Sequence, residues 1–372
     1  MLQNYLLIVL IIGCWVSCQP KATPSVHSAN TFYQGADLSF LPEMEQAGTV
    51  FFEGNQKSSA LQILKKAGLN LVRLRLWHTP APEHRGHSSL TEVLAFAKKI
   101  KTEKLDFLLD FHYSDTWADP GKQSLPEAWK NLTINDLGDS VFAYTQKVVQ
   151  AFKNQNTLPQ MIQIGNETNS GMLWNLGKVG GEFESNWPNY AFLIKKAIAG
   201  IKSIDTENKI KVMLHFAGYQ GADWFFQNIQ NQGVNYDIMG LSYYPNWHGK
   251  SLTELKTNLN DLIRKFDHPI LIVETAYPWT LDYNDFTNNF VGLAEQLMPG
   301  YPASPQGQKQ FLSDLKKTIS TVDKNYGIGF CYWEPAWVAF KGKEATNGSV
   351  WENQTLFDFQ NKALPALEVF KE

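Results

Sequence analysis

From residue 33 to its end the chain alternates short apolar runs with stretches of helical spacing, and it does so eight times. The runs are Tyr33–Ser39, Leu69–Trp77, Leu105–His112, Met161–Asn166, Ile210–Phe216, Tyr236–Tyr243, Pro269–Thr275 and Gly327–Trp333. Between them, apolar residues recur at helical intervals over Leu61–Ala67, Leu90–Lys101, Asp136–Lys153, Tyr190–Ser203, Trp224–Gln230, Leu252–Phe266 and Gln306–Val322. Leu364–Phe370 adds a last helical piece. Strand runs that are continuously apolar need cover on both faces, which a parallel sheet wrapped in helices provides. Eight such units predict an α/β fold built as a single (β/α)8 TIM barrel. No composition shift marks a second domain, and 372 residues suffice for one large core.

Polar residues gather where these runs end: Asp37, Arg75, His112, Asn166-Glu167, His215, Tyr243, Glu274 and Trp333-Glu334. In this fold the C-terminal strand ends carry the active site. Taken alone, Asn166-Glu167 in the loop-like stretch Gly165–Ser170 reads as an exposed turn. Repetition at one end of all eight strands makes it part of a site. Glu167 and Glu274 lie 107 residues apart, about three βα units of roughly 35 residues, so strands four and seven face each other across the mouth. Two opposed carboxylates fit glycosidic hydrolysis. One donates a proton to the leaving oxygen, and the other attacks the anomeric carbon when the pair is about 5–5.5 Å apart.

The formal net charge is −3, which gives no reason to expect nucleic acid as a partner. The 12 Trp, 14 Tyr and 23 Phe suit either core packing or stacking on sugar rings. At the N-terminus the apolar run Tyr5–Ile12 is too short to span a bilayer as a helix. With the small residues and cysteines after it, the run resembles a bacterial lipoprotein signal. That resemblance implies export and a lipid anchor on Cys18 (or Cys14), placing the protein at the bacterial cell surface or in the periplasm. Residues 1–18 are then the signal peptide, 19–31 a flexible tether and 32–372 the catalytic domain. The one remaining cysteine, Cys331, sits in an apolar run as a buried thiol, so no disulfide framework is expected.

Asn-Glu on strand four and a lone Glu on strand seven resemble the clan of retaining glycosidases that includes cellulases, mannanases and β-galactosidases. The resemblance implies Glu167 as acid/base and Glu274 as nucleophile. Further motifs narrow it: Gly35-Ala36-Asp37-Leu38-Ser39, Arg73-Leu74-Arg75-Leu76-Trp77, the block from Phe111 to Gln123, Ser242-Tyr243-Tyr244-Pro245, Glu274-Thr275-Ala276-Tyr277-Pro278-Trp279, Tyr332-Trp333-Glu334-Pro335-Ala336-Trp337 and Trp351-Glu352-Asn353-Gln354. From about residue 33 to 368 these resemble glycoside hydrolase family 53, the endo-β-1,4-galactanases. That implies galactan side chains of pectin (type I arabinogalactan) as the polysaccharide partner, cut with retention by a monomer. Another β-1,4-glycanase of the clan, or a glycan-binding barrel without activity, are the alternatives.

Around the two glutamates, Arg75 is expected to bond Glu274 and keep it ionised, and His112 to join the hydrogen bonding. Asn166 is expected at the sugar 2-hydroxyl, with Asp37 and Asp119 as further hydroxyl ligands. Trp117, Trp333 and Trp351 are expected to stack on sugar rings. Tyr243 either donates to Glu274 or packs, and Tyr244-Pro245 reads as structural. Strand alternation points Glu334 away from the pocket. The chemistry needs no cofactor. Some bacterial members of the family hold calcium after strand seven, where Asp282, Asn284 and Asp285 offer hard oxygen ligands, although a fuller acidic pattern is absent.

Overall fold

A computed structural model describes residues 31–84 and 86–371; Cys14, Cys18 and nearly all of the tether lie outside the described residues. Eight parallel strands close into a barrel: β1 Tyr33–Asp37, β2 Leu71–Leu76, β3 Asp106–Phe111, β4 Met161–Ile164, β5 Lys211–Ala217, β6 Ile238–Ser242, β7 Ile270–Thr275 and β8 Gly327–Trp333. Closure comes from β1, which pairs with β8 on one side and β2 on the other. The expected (β/α)8 TIM barrel is therefore the fold. Outside the expected alternation, a short helix at Leu41–Gln46 and a hairpin of Phe51–Glu53 with Gln56–Ser58 follow β1.

Local chemistry sets the helix ends. Ser59, Ser89, Thr133, Ser251 and Ser304 each accept a backbone N–H of the first turn that would otherwise lack a partner. Gly68 ends the first barrel helix at φ 115°, in the left-handed region open to glycine.

Two apolar layers hold the barrel. The outer one packs helices on the strands through side chains such as Val72, Leu74, Leu109, Ile162, Leu214 and Leu241. The inner one, Leu71, Leu108, Met161, Met213, Ile238, Leu271, Val273, Ile328 and Cys331, fills the barrel itself. On four of the strands the same inward face turns polar two residues further along: Arg73 after Leu71, Asp110 after Leu108, Gln163 after Met161 and His215 after Met213. Above this apolar floor, buried charges among the described residues gather at the C-terminal end of the interior, where Asp37, Arg73, Arg75, Asp110 and Glu274 lie. Gly35 allows close approach on that floor, because a Cβ there would lie 2.5 Å from Cys331 Sγ.

Strand β7 breaks the alternation. Ile272 pairs with Leu241, and the next pairing joins Glu274 to Ser242, passing over Val273. Val273 packs inside the barrel, and strict alternation would have turned Glu274 outward. The bulge turns Glu274 inward as well.

Candidate active site

The mouth of the barrel opens into a cleft of about 690 Å3 that contains Glu167 and Glu274. Glu167 reaches it through a strained turn: after β4, Gly165 (φ 77°) and Glu167 (φ 46°) both take left-handed backbone. One carboxylate oxygen from each glutamate, with a ring nitrogen of His215, lie within 4.8 Å of one another. His215 is not free to hold a cation there. Its Nδ1 accepts the Glu167 N–H at 3.1 Å and its Nε2 meets Ser242 Oγ at 2.9 Å.

Arg73, not Arg75, is the cationic hub. Its Nη1 contacts Asp37 and Glu274 Oε1, both at 2.9 Å, while Nη2 donates to Asp110 and Asn166 at 2.8 Å. Burial disfavours this charge, yet Asp110, Glu274 and Asp37 outweigh that cost and hold the guanidinium firmly protonated. The expected Arg75–Glu274 bond does not form. Arg75 pairs with Glu334 at 2.9 Å and lies between the faces of Phe40 and Trp117. Glu334, buried and also accepting the Phe40 N–H, is this structural partner.

The Tyr243 hydroxyl donates to the Gly249 carbonyl and packs, so it does not reach Glu274. Its neighbour Tyr244 donates to Glu274 Oε2 at 3.0 Å. The main chain continues from a strand position to a helix cap here, so adjacent tyrosines face different ways, and composition alone gave no means of choosing between them.

The remaining expected residues reach the cleft in different roles. Asp37 lies at its floor with both oxygens engaged, one by Ser39 and one by Arg73, so it braces Arg73 instead of offering a free hydroxyl ligand. His112 accepts the Ala118 N–H on Nδ1, which leaves Nε2–H to donate to Asp110, tying the Trp117–Asp119 loop to β3. Asn166 gives its oxygen to Arg73 and one N–H to the Ala118 carbonyl, keeping one N–H for a ligand. Asp119, Trp117, Trp333 and Trp351 line the walls. Trp247, on the short helix Pro245–His248 after β6, and Phe290, on the loop after β7, are half exposed, extend this aromatic wall and were not foreseen. Exposed aromatics beside a cleft are the signal that would have found them.

Electrostatics separates the glutamates. Burial, then the facing Glu274 carboxylate, push Glu167 up to about 8, against the Ser242 hydroxyl and Arg73, which pull it down. Burial also raises Glu274, to about 6, with Arg73 as the main opposing influence. Near neutrality the pair thus holds its proton on Glu167 and its charge on Glu274.

The predicted calcium ligands do not converge. Asp282 accepts the Thr280 hydroxyl at the surface, and Asn284 uses its backbone N–H on Glu352. Asp285 is buried, with Oδ1 on the Thr287 N–H and Oδ2 without a hydrogen bond. Among the described residues, no three acidic or histidine groups meet in this loop. The reason is local: of the three, only Asp285 is buried, while Asp282 is exposed and Asn284 half-buried.

A closed parallel barrel with two glutamates facing each other across its C-terminal mouth defines a two-carboxylate glycoside hydrolase of the (β/α)8 class. The family model for glycosyl hydrolase family 53 matches residues 33–370, and the chain belongs to that family. It is 38% identical to an arabinogalactan endo-β-1,4-galactanase of Cellvibrio japonicus, covering 94% of this chain and 93% of the relative. It is 42% identical to a Niallia circulans protein, known as an uncharacterized protein in the bgaB 5′ region, over 91% of this chain and 93% of that one. The solved family 53 catalytic domain of Ignisphaera aggregans superposes with a TM-score of 0.85 at 36% identity, covering 94% of this chain and 98% of that chain.

Proposed function

We infer that the chain is an arabinogalactan endo-β-1,4-galactanase that cuts β-1,4-galactan within the chain and retains anomeric configuration. The observation that carries this reading is the Glu167–Glu274 pair, within 4.8 Å, with the proton held on one and the charge on the other. Membership of family 53 and the named galactanase relative supply the substrate class.

In this reading Glu274, braced by Arg73 and Tyr244, attacks the anomeric carbon while Glu167 protonates the leaving glycosidic oxygen. Forming the glycosyl ester consumes the Glu274 charge that holds Glu167 up. Glu167 then becomes a better base and takes a proton from the incoming water, whose oxygen releases the sugar. The chain's own carboxylates, arginine and hydroxyls carry every step.

The test is reducing-end release from galactan, mannan, xylan and cellulose, with early mixed oligomers from galactan as the expected product. Glu274→Ala is expected to lose at least about a thousandfold and to be rescued by azide, giving an inverted glycosyl azide. Wild-type activity on a non-galactan only, or Glu167→Ala and Glu274→Ala variants at wild-type rates, would overturn the reading.

We further propose export and lipid anchoring through Cys18 or Cys14, with the monomeric enzyme held at a bacterial membrane surface. The sequence of Tyr5–Cys18 supports this, and mass spectrometry of the mature N-terminus tests it. Structural calcium after β7 rests on residue type alone, with Asp285 as the buried carboxylate whose free oxygen suits a cation. A thermal midpoint unmoved by a chelator would discard it.

A further inference from the structure

Glu167 does not stand alone on its side of the cleft. Its own backbone N–H points at His215 Nδ1, 3.1 Å away, and a backbone amide can only donate. Gln163 Nε2 also lies 3.0 Å from Nδ1. Asn166 Oδ1 lies 3.1 Å from Nδ1 as well, but it already accepts from Arg73 Nη2 at 2.8 Å, and Nδ1 cannot donate to it while accepting the Glu167 N–H. The buried imidazole therefore accepts on Nδ1 and carries its hydrogen on Nε2. Burial, then Arg73, His112 and His248, hold the ring well below its ordinary titration range, so it stays neutral and keeps that tautomer. Nε2–H faces Ser242 Oγ at 2.9 Å and donates to it. Ser242 Oγ lies 2.5 Å from Glu167 Oε1, so its own hydrogen is directed there. The chain starts and ends on the same residue: Glu167 N–H to His215, His215 to Ser242, Ser242 to Glu167 Oε1.

We propose that Ser242 and His215 form a one-way hydrogen-bond chain that commits Glu167 Oε1 to accepting, and so places the transferable proton on Oε2. Ser242 and His215 are positioning residues, acting through Glu167. Among the described residues, Oε2 takes no protein hydrogen bond, which leaves it to the glycosidic oxygen. In the first step the Oε2–H bond breaks as the leaving oxygen gains the proton. In the second, Oε2 regains a proton from water. Throughout, Oε1 keeps the same donor, so one oxygen performs both transfers without rotation of the carboxyl group. The charged or titratable groups facing Glu167 are Glu274 on β7, Arg73 on β2, Asp119 after β3 and Tyr244 after β6; none of them supplies a donor to Oε1. In sequence, His215 stands out as a polar strand end and Ser242 as part of a motif, but nothing in their spacing links either to Glu167.

This inference rests on Glu167 being the acid/base. It is tested in the full-length enzyme with Ser242→Ala and with Ser242→Cys, which keeps the volume but donates weakly. The readout is kcat/KM on galactan and on an aryl β-galactoside with a dinitrophenolate leaving group, which departs without acid assistance. Both variants are expected to lose about tenfold to a hundredfold on galactan, part of what a general acid contributes, and less than about threefold on the aryl substrate. The alkaline limb of the galactan pH profile is expected to move to higher pH, because the hydroxyl that favours ionised Glu167 is gone. Equal losses on both substrates in variants with wild-type melting, or an unmoved alkaline limb, would overturn the chain. Wild-type enzyme that cleaves another β-glycan but not galactan overturns the substrate reading, and the comparison is then read on that glycan. Wild-type enzyme that cleaves none overturns both.

Discussion

Arg73 and Arg75 are the same side chain two residues apart on one strand, yet they serve different carboxylates. Both point into the barrel, as the period of two requires. Arg73, one step nearer the floor, meets Asp37, Asp110 and Glu274; Arg75 is taken by Glu334 from β8's end. Which arginine reaches the nucleophile depends on the height at which Glu274 enters, and no spacing rule states that height. The glutamates bear on stability as well as on chemistry. An unfolded Glu releases its proton near pH 4.3 or so, whereas folded Glu167 holds it to about 8. Across that window the folded state binds more protons than the unfolded chain, so stability falls as pH rises. Glu167→Gln is therefore expected to melt a few degrees above wild type at pH 8 and alongside it at pH 4, by calorimetry at both values. An unchanged difference between the two pH values would show that burial does not raise this group.

At the scale of elements, the bulge in β7 decides the site. The run Ile270–Val273 is legible as a buried strand, and Glu274 is legible as its end. Regular alternation would have put Val273 inside and Glu274 outside, and the skipped pairing at Val273 brings both inside. Such a skip leaves no mark in a continuous apolar run, so the facing of Glu274 was expected from its position at the barrel mouth and obtained by a different device. The β1–β8 pair is a second such element. Gly35 sits opposite Cys331 in register, with room for no more than a hydrogen. Gly35→Ala is expected to cost about 1–3 kcal/mol by overpacking. Adding Cys331→Ala should recover part of that loss in denaturant melts. A double variant as unstable as the sum of the singles would place the strain elsewhere.

For the whole molecule, closure matters most. Strand β1 begins at Tyr33 and already pairs with both β8 and β2, and Phe32–Glu372 forms one compact unit. Removing residues 1–31 is therefore expected to leave the melting midpoint and galactan hydrolysis within error of the full chain, measured side by side. A truncated enzyme that melts lower would give that segment a packing role in the fold.

What the sequence determined by itself was the fold, the glutamate pair and the aromatic character of the cleft. These follow from short-range patterns: apolar runs set strands, helical spacing sets their covers, and polar residues gather at the C-terminal ends of the runs. The His112–Gln123 block carried the family resemblance on residue identity alone. Only the tertiary structure decided which neighbour does what. Arg73 over Arg75, Tyr244 over Tyr243 and Asp285 apart from Asp282 are choices between adjacent or repeated residues of equal chemistry, and Ser242 with His215 behind Glu167 is a juxtaposition of two separate strands. They turn on strand height, a bulge and the direction of single hydrogen bonds between strands more than 25 residues apart, as between Ser242 and His215. Period and composition hold no information on those distances, because they are set by how the barrel closes.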